Sequence, residues 1–210
     1  MNNIFLLLRE YNNNLCMKKF KFLLLSTCIA LVACTTKTSS EQQVSDKGTK
    51  WSWDKGTIVV ETPERPAEQT SVIGLTIPKM EVVRVGFVGL GMRGPGAVER
   101  FTYIPGVEIV ALCDYEKERA EKCQNYLQRA SMPKAAIYSG EKGYEELCKR
   151  DDIDLVYIAT DWLHHFPVAM CAMENNKNVA IEVPSAMDLK ECWALVNMSE
   201  KTRKHCMILE

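Results

Sequence analysis

Val82-Val83-Arg84-Val85-Gly86-Phe87-Val88-Gly89-Leu90-Gly91-Met92-Arg93-Gly94 is the stretch that decides the fold. Its first half is a β-branched run that ends in glycines, which predicts a buried strand. Gly89–Gly94 fits the pattern G-x-G-x-x-G and precedes a predicted helix, Pro95–Phe101. Asp114 stands 20 residues beyond Gly94, at the end of a second apolar run, Val107–Cys113. Strand, glycine turn, helix and acidic residue in this order are the fingerprint of a dinucleotide-binding βαβ unit.

Each glycine has a physical task in such a turn. Gly89 permits the tight turn, Gly91 lets backbone approach a pyrophosphate, and Gly94 lets the helix sit close to the strand. The helix N-terminus then meets the diphosphate with free N–H groups and a positive dipole end. Asp114 accepts hydrogen bonds from a ribose diol and repels a 2′-phosphate, which favours NAD over NADP. Arg93 lies inside the turn and faces either a phosphate or solvent.

Outward from this unit the pattern repeats. Helices are predicted at Glu116–Arg129, Gly143–Lys149, His165–Asn175 and Asp188–His205. Strands are predicted at Ala136–Tyr138, Leu155–Ala159 and Asn178–Glu182, and a sixth opens at Cys206–Leu209. In the long last helix, Leu189, Cys192, Trp193 and Val196 form one apolar stripe, and Asp188 with Glu191 reads as a capping pair. Near-continuously apolar strands alternating with helices imply an α/β fold, a doubly wound parallel sheet covered on both faces. Its crossovers are expected to be right-handed.

Composition bounds the function. The 210 residues carry 26 Lys+Arg against 27 Asp+Glu, a net charge of −1, and 47% are hydrophobic. That is globular composition without the basic excess of a nucleic-acid binder. The nine cysteines contain no CxxC pair and no close histidine spacing, so no zinc or other metal site is expected. Most of those beyond the leader fall at apolar positions and read as buried free thiols.

The N-terminus reads as an address. Met17-Lys18-Lys19 opens a basic region, Phe22–Val32 is a short apolar segment, and Leu31-Val32-Ala33-Cys34 resembles the lipobox of bacterial lipoproteins. Residues 1–34 are therefore expected to be a signal segment with its true start at Met17, and Cys34 to receive the lipid. The apolar segment is about half of the ~20 residues that span a bilayer. The chain is expected to be exported and membrane-bound only through that lipid. Residues 35–80 read as a polar linker, with Trp51, Trp53 and Thr57–Glu61 marking either an arm on the folded body or a short extended piece. Residues 81–210 form the dinucleotide-binding domain.

Further site candidates lie at the carboxyl ends of later strands, where open α/β sheets bind ligands. Asp161-Trp162-Leu163-His164-His165 either lines a cofactor pocket or starts a helix with Asp161 as its cap. Glu182, in Glu182-Val183-Pro184, either meets a nicotinamide ribose or sits in a surface loop.

Together these residues resemble the Gfo/Idh/MocA family of NAD(P)-dependent oxidoreductases, from about Val82 to Glu210. The fifth strand in that family ends Glu-Lys-Pro, with the lysine assisting proton transfer; here Val183 replaces it. The sequence is more similar still to one branch of that fold, glycoside hydrolase family 109. The shared features are the exported N-terminus, Gly89–Gly94, Cys113-Asp114, Thr160–His165 and Glu182-Val183-Pro184. The resemblance implies a tightly held NAD, contacted by Met92, Arg93, Asp114, Trp162, Leu163, His164, His165, Glu182 and Val183.

It also implies hydrolysis of α-linked N-acetylgalactosamine. Hydride leaves C3 of the sugar for the cofactor, a base takes the C2 proton, the aglycone leaves C1, water adds, and the hydride returns. The substrate domain and its acid–base residues follow this region in family members, so no catalytic residue is assigned and the 210-residue chain is expected to be inactive alone. Oligomeric state is open. The alternatives are the cofactor domain of a sugar or inositol dehydrogenase, and a non-catalytic NAD-binding lipoprotein.

Overall fold

A computed structural model describes residues 43–44 and 48–209; the signal segment, the lipobox with Cys34, the start at Met17 and the terminal Glu210 lie outside the described residues. The strands are β1 (Gln43–Val44), β2 (Lys50–Asp54), β3 (Thr57–Val60), β4 (Val83–Val88), β5 (Val107–Asp114), β6 (Ala136–Ser139), β7 (Leu155–Ile158), β8 (Asn178–Ile181) and β9 (Cys206–Ile208). The helices are α1 (Gly94–Phe101), α2 (Lys117–Arg129), α3 (Gly143–Cys148), α4 (Trp162–Glu174) and α5 (Leu189–Thr202).

Strands β4–β9 form one sheet in the order β6-β5-β4-β7-β8-β9, parallel throughout. The order reverses at β4, whose neighbours are β5 on one side and β7 on the other. This is the doubly wound architecture, and its switch point opens a crevice at the carboxyl ends of β4 and β7. Both faces are covered. Phe87 and Leu112 pack with Ala97, Val98 and Leu127 of α1 and α2, while Val156, Ile158 and Ile181 pack with Leu147, Val168 and Met173 of α3 and α4. Inside the first layer Phe87 and Tyr157 stack at 5.0 Å, and Phe101 meets both edge-on.

Strands β1, β2 and β3 form a separate three-stranded antiparallel sheet, in which Trp51 and Trp53 meet edge to face at 6.2 Å. The segment after it runs along α5. Arg65 Nε donates to both oxygens of the buried Glu200 at 2.8 and 3.1 Å, and Arg203 donates to the Thr70 carbonyl at 2.8 Å.

Two helices differ from their sequence expectations. The fourth begins at Trp162 rather than His165, because Asp161 caps it: its side chain accepts the Leu163 N–H at 2.9 Å. The fifth ends at Thr202 rather than His205, because Arg203 takes a left-handed φ of 55°. The fifth helix also turns another face inward. Leu195, Ser199 and Glu200 are buried, whereas Leu189, Cys192 and Val196 of the expected stripe are exposed. Its cap follows the expected pairing, with Glu191 N–H on Asp188 and Met187 N–H on the Glu191 carboxylate. All six cysteines from Cys113 onward are free; Cys113, Cys123 and Cys148 are buried, but Cys192 is exposed.

Candidate functional site

The crevice at the switch point is a cleft of about 1090 Å³. Its floor is the glycine turn between β4 and α1. Gly89 has φ +92°, and a Cβ there would lie 2.4 Å from the Ala159 carbonyl carbon and the Thr160 nitrogen. Gly94 is equally constrained, since its Cβ would sit 2.0 Å from the Gly89 carbonyl oxygen. Both glycines are fixed by the protein itself. Gly91 is not: chain neighbours aside, its Cβ would meet only Arg119 Nη1, at 3.6 Å. Among the described residues nothing crowds the Gly91 Cβ position, which leaves this stretch of backbone open to the cleft.

Asp114 closes one end of the cleft. It is 6% exposed, and its carboxylate is held on both oxygens: Leu90 N–H donates to Oδ2 at 2.6 Å and Glu116 N–H to Oδ1 at 3.0 Å. The carboxylate thereby ties the glycine turn to the end of β5. It still lines the cleft, and a carboxylate offers about four acceptor positions, so lone pairs remain for a ribose diol. Its charge also acts on a neighbour. Burial, followed by the Asp114 charge, pushes the Cys113 thiol up to about 12, which keeps it protonated and unreactive.

The other end is built from α4 and the loop after β8. Asp161 accepts the Leu163 N–H and lies 2.6 Å from His164 Nδ1. Burial raises its pKa, but the bonds from His164 and Leu163 outweigh that and hold the carboxyl below the usual carboxylate range. His165 is 1% exposed, with Nδ1 at 2.7 Å from the Pro184 carbonyl oxygen. A carbonyl only accepts, so Nδ1 carries the hydrogen and, in the neutral ring, Nε2 keeps a lone pair. Nε2 is buried with no partner among the described residues. Glu182 is held from below by the buried Tyr157, whose hydroxyl donates to Oε1 at 3.2 Å. Burial and the Glu182 charge raise the Tyr157 pKa, so the phenol stays a donor.

Of the residues singled out from the sequence, Gly89, Gly91, Met92, Arg93, Asp114, Trp162, His164, His165, Glu182 and Val183 all line this cleft. Gly94 lies beneath it, against Gly89, and Leu163 points away from it, 74% exposed. The helical turn explains Leu163: one residue on from Trp162 is a rotation of about 100°. Sequence reasoning missed Tyr115, Arg119 and Glu141, which also line the cleft, and Tyr157, which lies in a strand and reads as core. Arg119 had a signal in its position, in the first turn of the helix that follows Asp114.

These features fit a dinucleotide. The bare Gly91, the deep Asp114 and the orphaned His165 Nε2 supply an approach for phosphate, an acceptor for a ribose and an acceptor for a further donor, within one cleft.

Comparison with known proteins agrees. Residues 83–209 match the family described as Oxidoreductase family, NAD-binding Rossmann fold. Two proteins of Phocaeicola vulgatus, named Glycosyl hydrolase family 109 protein 5 and protein 4, are 75% identical over 196 residues and 73% over 195. Each alignment covers 92% of this chain but 38% of the relative, so the chain spans well under half of their length. Among solved structures, myo-inositol dehydrogenase from Lactobacillus casei, in complex with NAD(H) and myo-inositol, is 27% identical with a TM-score of 0.51, covering 60% of this chain and 35% of that one. Sheet order, glycine turn and these likenesses lead to one conclusion: the chain belongs to the Gfo/Idh/MocA oxidoreductase family and carries its NAD-binding Rossmann fold.

Proposed function

We propose that the cleft holds NAD as the cofactor half of an exported glycosidase, one that hydrolyses α-linked N-acetylgalactosamine by oxidation, elimination, addition and reduction. The observation that carries the cofactor reading is Gly91, bare in the middle of a cleft where the protein itself would tolerate a side chain. The glycosidase reading rests on the relatives named glycosyl hydrolase family 109 and on Val183, which replaces a proton-transferring lysine.

When bound, NAD supplies reversible hydride acceptance. The chain's own residues bind and orient it. The Gly91 backbone and the N-terminus of α1 receive the diphosphate, and Arg93 adds a cation at the same turn. Asp114 accepts from the adenosine ribose and disfavours a phosphate there. Glu182, steadied by Tyr157, accepts from the nicotinamide ribose. His165 Nε2 accepts a hydrogen bond on that side, and Trp162 and Val183 offer apolar surface beside it. No residue of this chain is assigned to substrate contacts or to proton transfer to the sugar.

Titration of the purified chain with NADH, followed by fluorescence, tests the cofactor reading. Saturable binding, with NADPH the weaker ligand, is expected; no binding would refute it. For a full-length protein carrying this domain, release of nitrophenol from a nitrophenyl α-N-acetylgalactosaminide without NADH build-up supports the glycosidase. Stoichiometric NADH from a free sugar or inositol would favour the dehydrogenase instead.

A further inference from the structure

Arg119 stands where the bare turn and the ribose-reading acid meet. Among the described residues its Nη1 is the only atom within 4 Å of the Gly91 Cβ position, chain neighbours aside, and the same Nη1 lies 3.6 Å from Asp114 Oδ1. Its Nη2 donates to Glu116 Oε1 at 3.1 Å. The guanidinium also forms a wall shared by two cavities. One is the main cleft; the other is a groove of about 660 Å³ between α1 and α2, where Lys122 and Arg129 add cations and no carboxylate lines the wall. Arg119 is partly exposed, so its place is not set by packing in the core.

We infer that Arg119 is a cofactor-binding residue, which holds the diphosphate of the adenosine end against the Gly91 backbone. This rests on the proposed NAD binding. A group bound against Gly91 lies within reach of this guanidinium. A planar guanidinium suits phosphate oxygens, with two parallel N–H donors and a charge that does not titrate. Asp114 orients it beforehand, so less side-chain freedom remains to be lost on binding. Glu116 also competes with the phosphate for the same donors, which gives the two residues opposite effects on affinity.

Calorimetric titration of the full chain with 5′-ADP and with NADH tests this on Arg119→Ala, Arg119→Lys and Glu116→Gln, alongside thermal midpoints of the ligand-free proteins. Arg119→Ala should weaken both ligands about tenfold, and the dependence of affinity on salt should become shallower. Arg119→Lys should recover part of the loss. Glu116→Gln should tighten 5′-ADP about two- to threefold, a change that structural damage does not produce. Midpoints should stay together across the set. Wild-type affinity in Arg119→Ala, an equal loss in Arg119→Lys, or weaker 5′-ADP binding in Glu116→Gln overturns the assignment. If the wild-type chain binds neither ligand, the cofactor reading falls together with it.

Discussion

Replacing the glycines of the turn one at a time with alanine separates folding from binding. Gly89→Ala places a Cβ 2.4 Å from two backbone atoms of the Ala159–Thr160 peptide, at a φ of +92°. The left-handed backbone costs about 1–2 kcal/mol for a residue with a Cβ. Overpacking against backbone, which cannot step aside as a side chain can, adds up to about 3 kcal/mol. The stiffer unfolded chain returns about 0.4–1 kcal/mol. The net loss is about 3–4 kcal/mol, a large part of the 5–15 kcal/mol that holds a typical domain together. Gly140 provides a control, since its φ is +82° but its Cβ would meet nothing within 4 Å. Gly140→Ala therefore carries strain alone, about 1 kcal/mol.

Gly91→Ala is the informative member, because it has neither cost. Its Cβ would enter open space beside Arg119, and its stability should match wild type within about 0.5 kcal/mol. NADH affinity should nonetheless fall about tenfold or more, because the methyl occupies the approach to backbone N–H groups. Urea unfolding followed by circular dichroism gives the stabilities, and NADH fluorescence gives the affinities. If Gly91→Ala binds NADH as wild type does, or loses stability as Gly89→Ala does, the division between glycines fixed by the fold and a glycine fixed by the ligand is wrong.

Other elements give further tests. His165→Phe should lose NADH affinity about tenfold, as measured by fluorescence, because the acceptor at Nε2 disappears, and its urea midpoint should fall as well, because the donor to the Pro184 carbonyl goes with it. Asp154 receives Arg84 Nε at 2.9 Å and Nη2 at 2.8 Å, and these bonds hold its carboxyl below the usual range. A depressed pKa stabilises above the unfolded value of about 3.9 and stops stabilising as pH falls through the folded value, so urea midpoints should drop in acid, and less steeply in Asp154→Asn. Arg65→Ala leaves Glu200 buried without its guanidinium, so the thermal midpoint should fall, and Glu200→Gln in the same chain should restore part of it.

Much of this fold was legible because its signals are local. The apolar run Val82–Val88, the turn Gly89–Gly94 and Asp114 stand at spacings that only a strand–turn–helix–strand unit satisfies. What failed depends on distant partners. The stripe Leu189–Val196 is apolar by count, yet α5 buries Leu195 and Glu200 instead, because the sheet and the segment around Arg65 decide which face is covered. Tyr157 looks like any strand residue until Glu182, 25 residues on, is seen above its hydroxyl. The sheet formed by β1, β2 and β3 was equally hard to foresee, since a polar tract with two tryptophans becomes strands only through pairing such as Trp53 with Ile58.

The two ends of the cleft are held by different physics, and that difference is measurable. At the inner end, His165 is fixed by the Pro184 carbonyl and Glu182 by Tyr157, which stacks on Phe87 in the core. The partner in each bond is a neutral group, and the strength of such bonds changes little with ionic strength. At the adenosine end, Arg119 is partly exposed and ion-paired to Asp114 and Glu116, so its contribution is screened as the Debye length shrinks from about 30 Å at 0.01 M to about 3 Å at 1 M salt. Salt should therefore weaken 5′-ADP strongly, and nicotinamide mononucleotide only through its single phosphate. Calorimetric titration of both ligands from about 0.01 to about 1 M salt reads the split. Equal slopes for the two ligands would mean that the charge at the adenosine end takes no part in holding the cofactor.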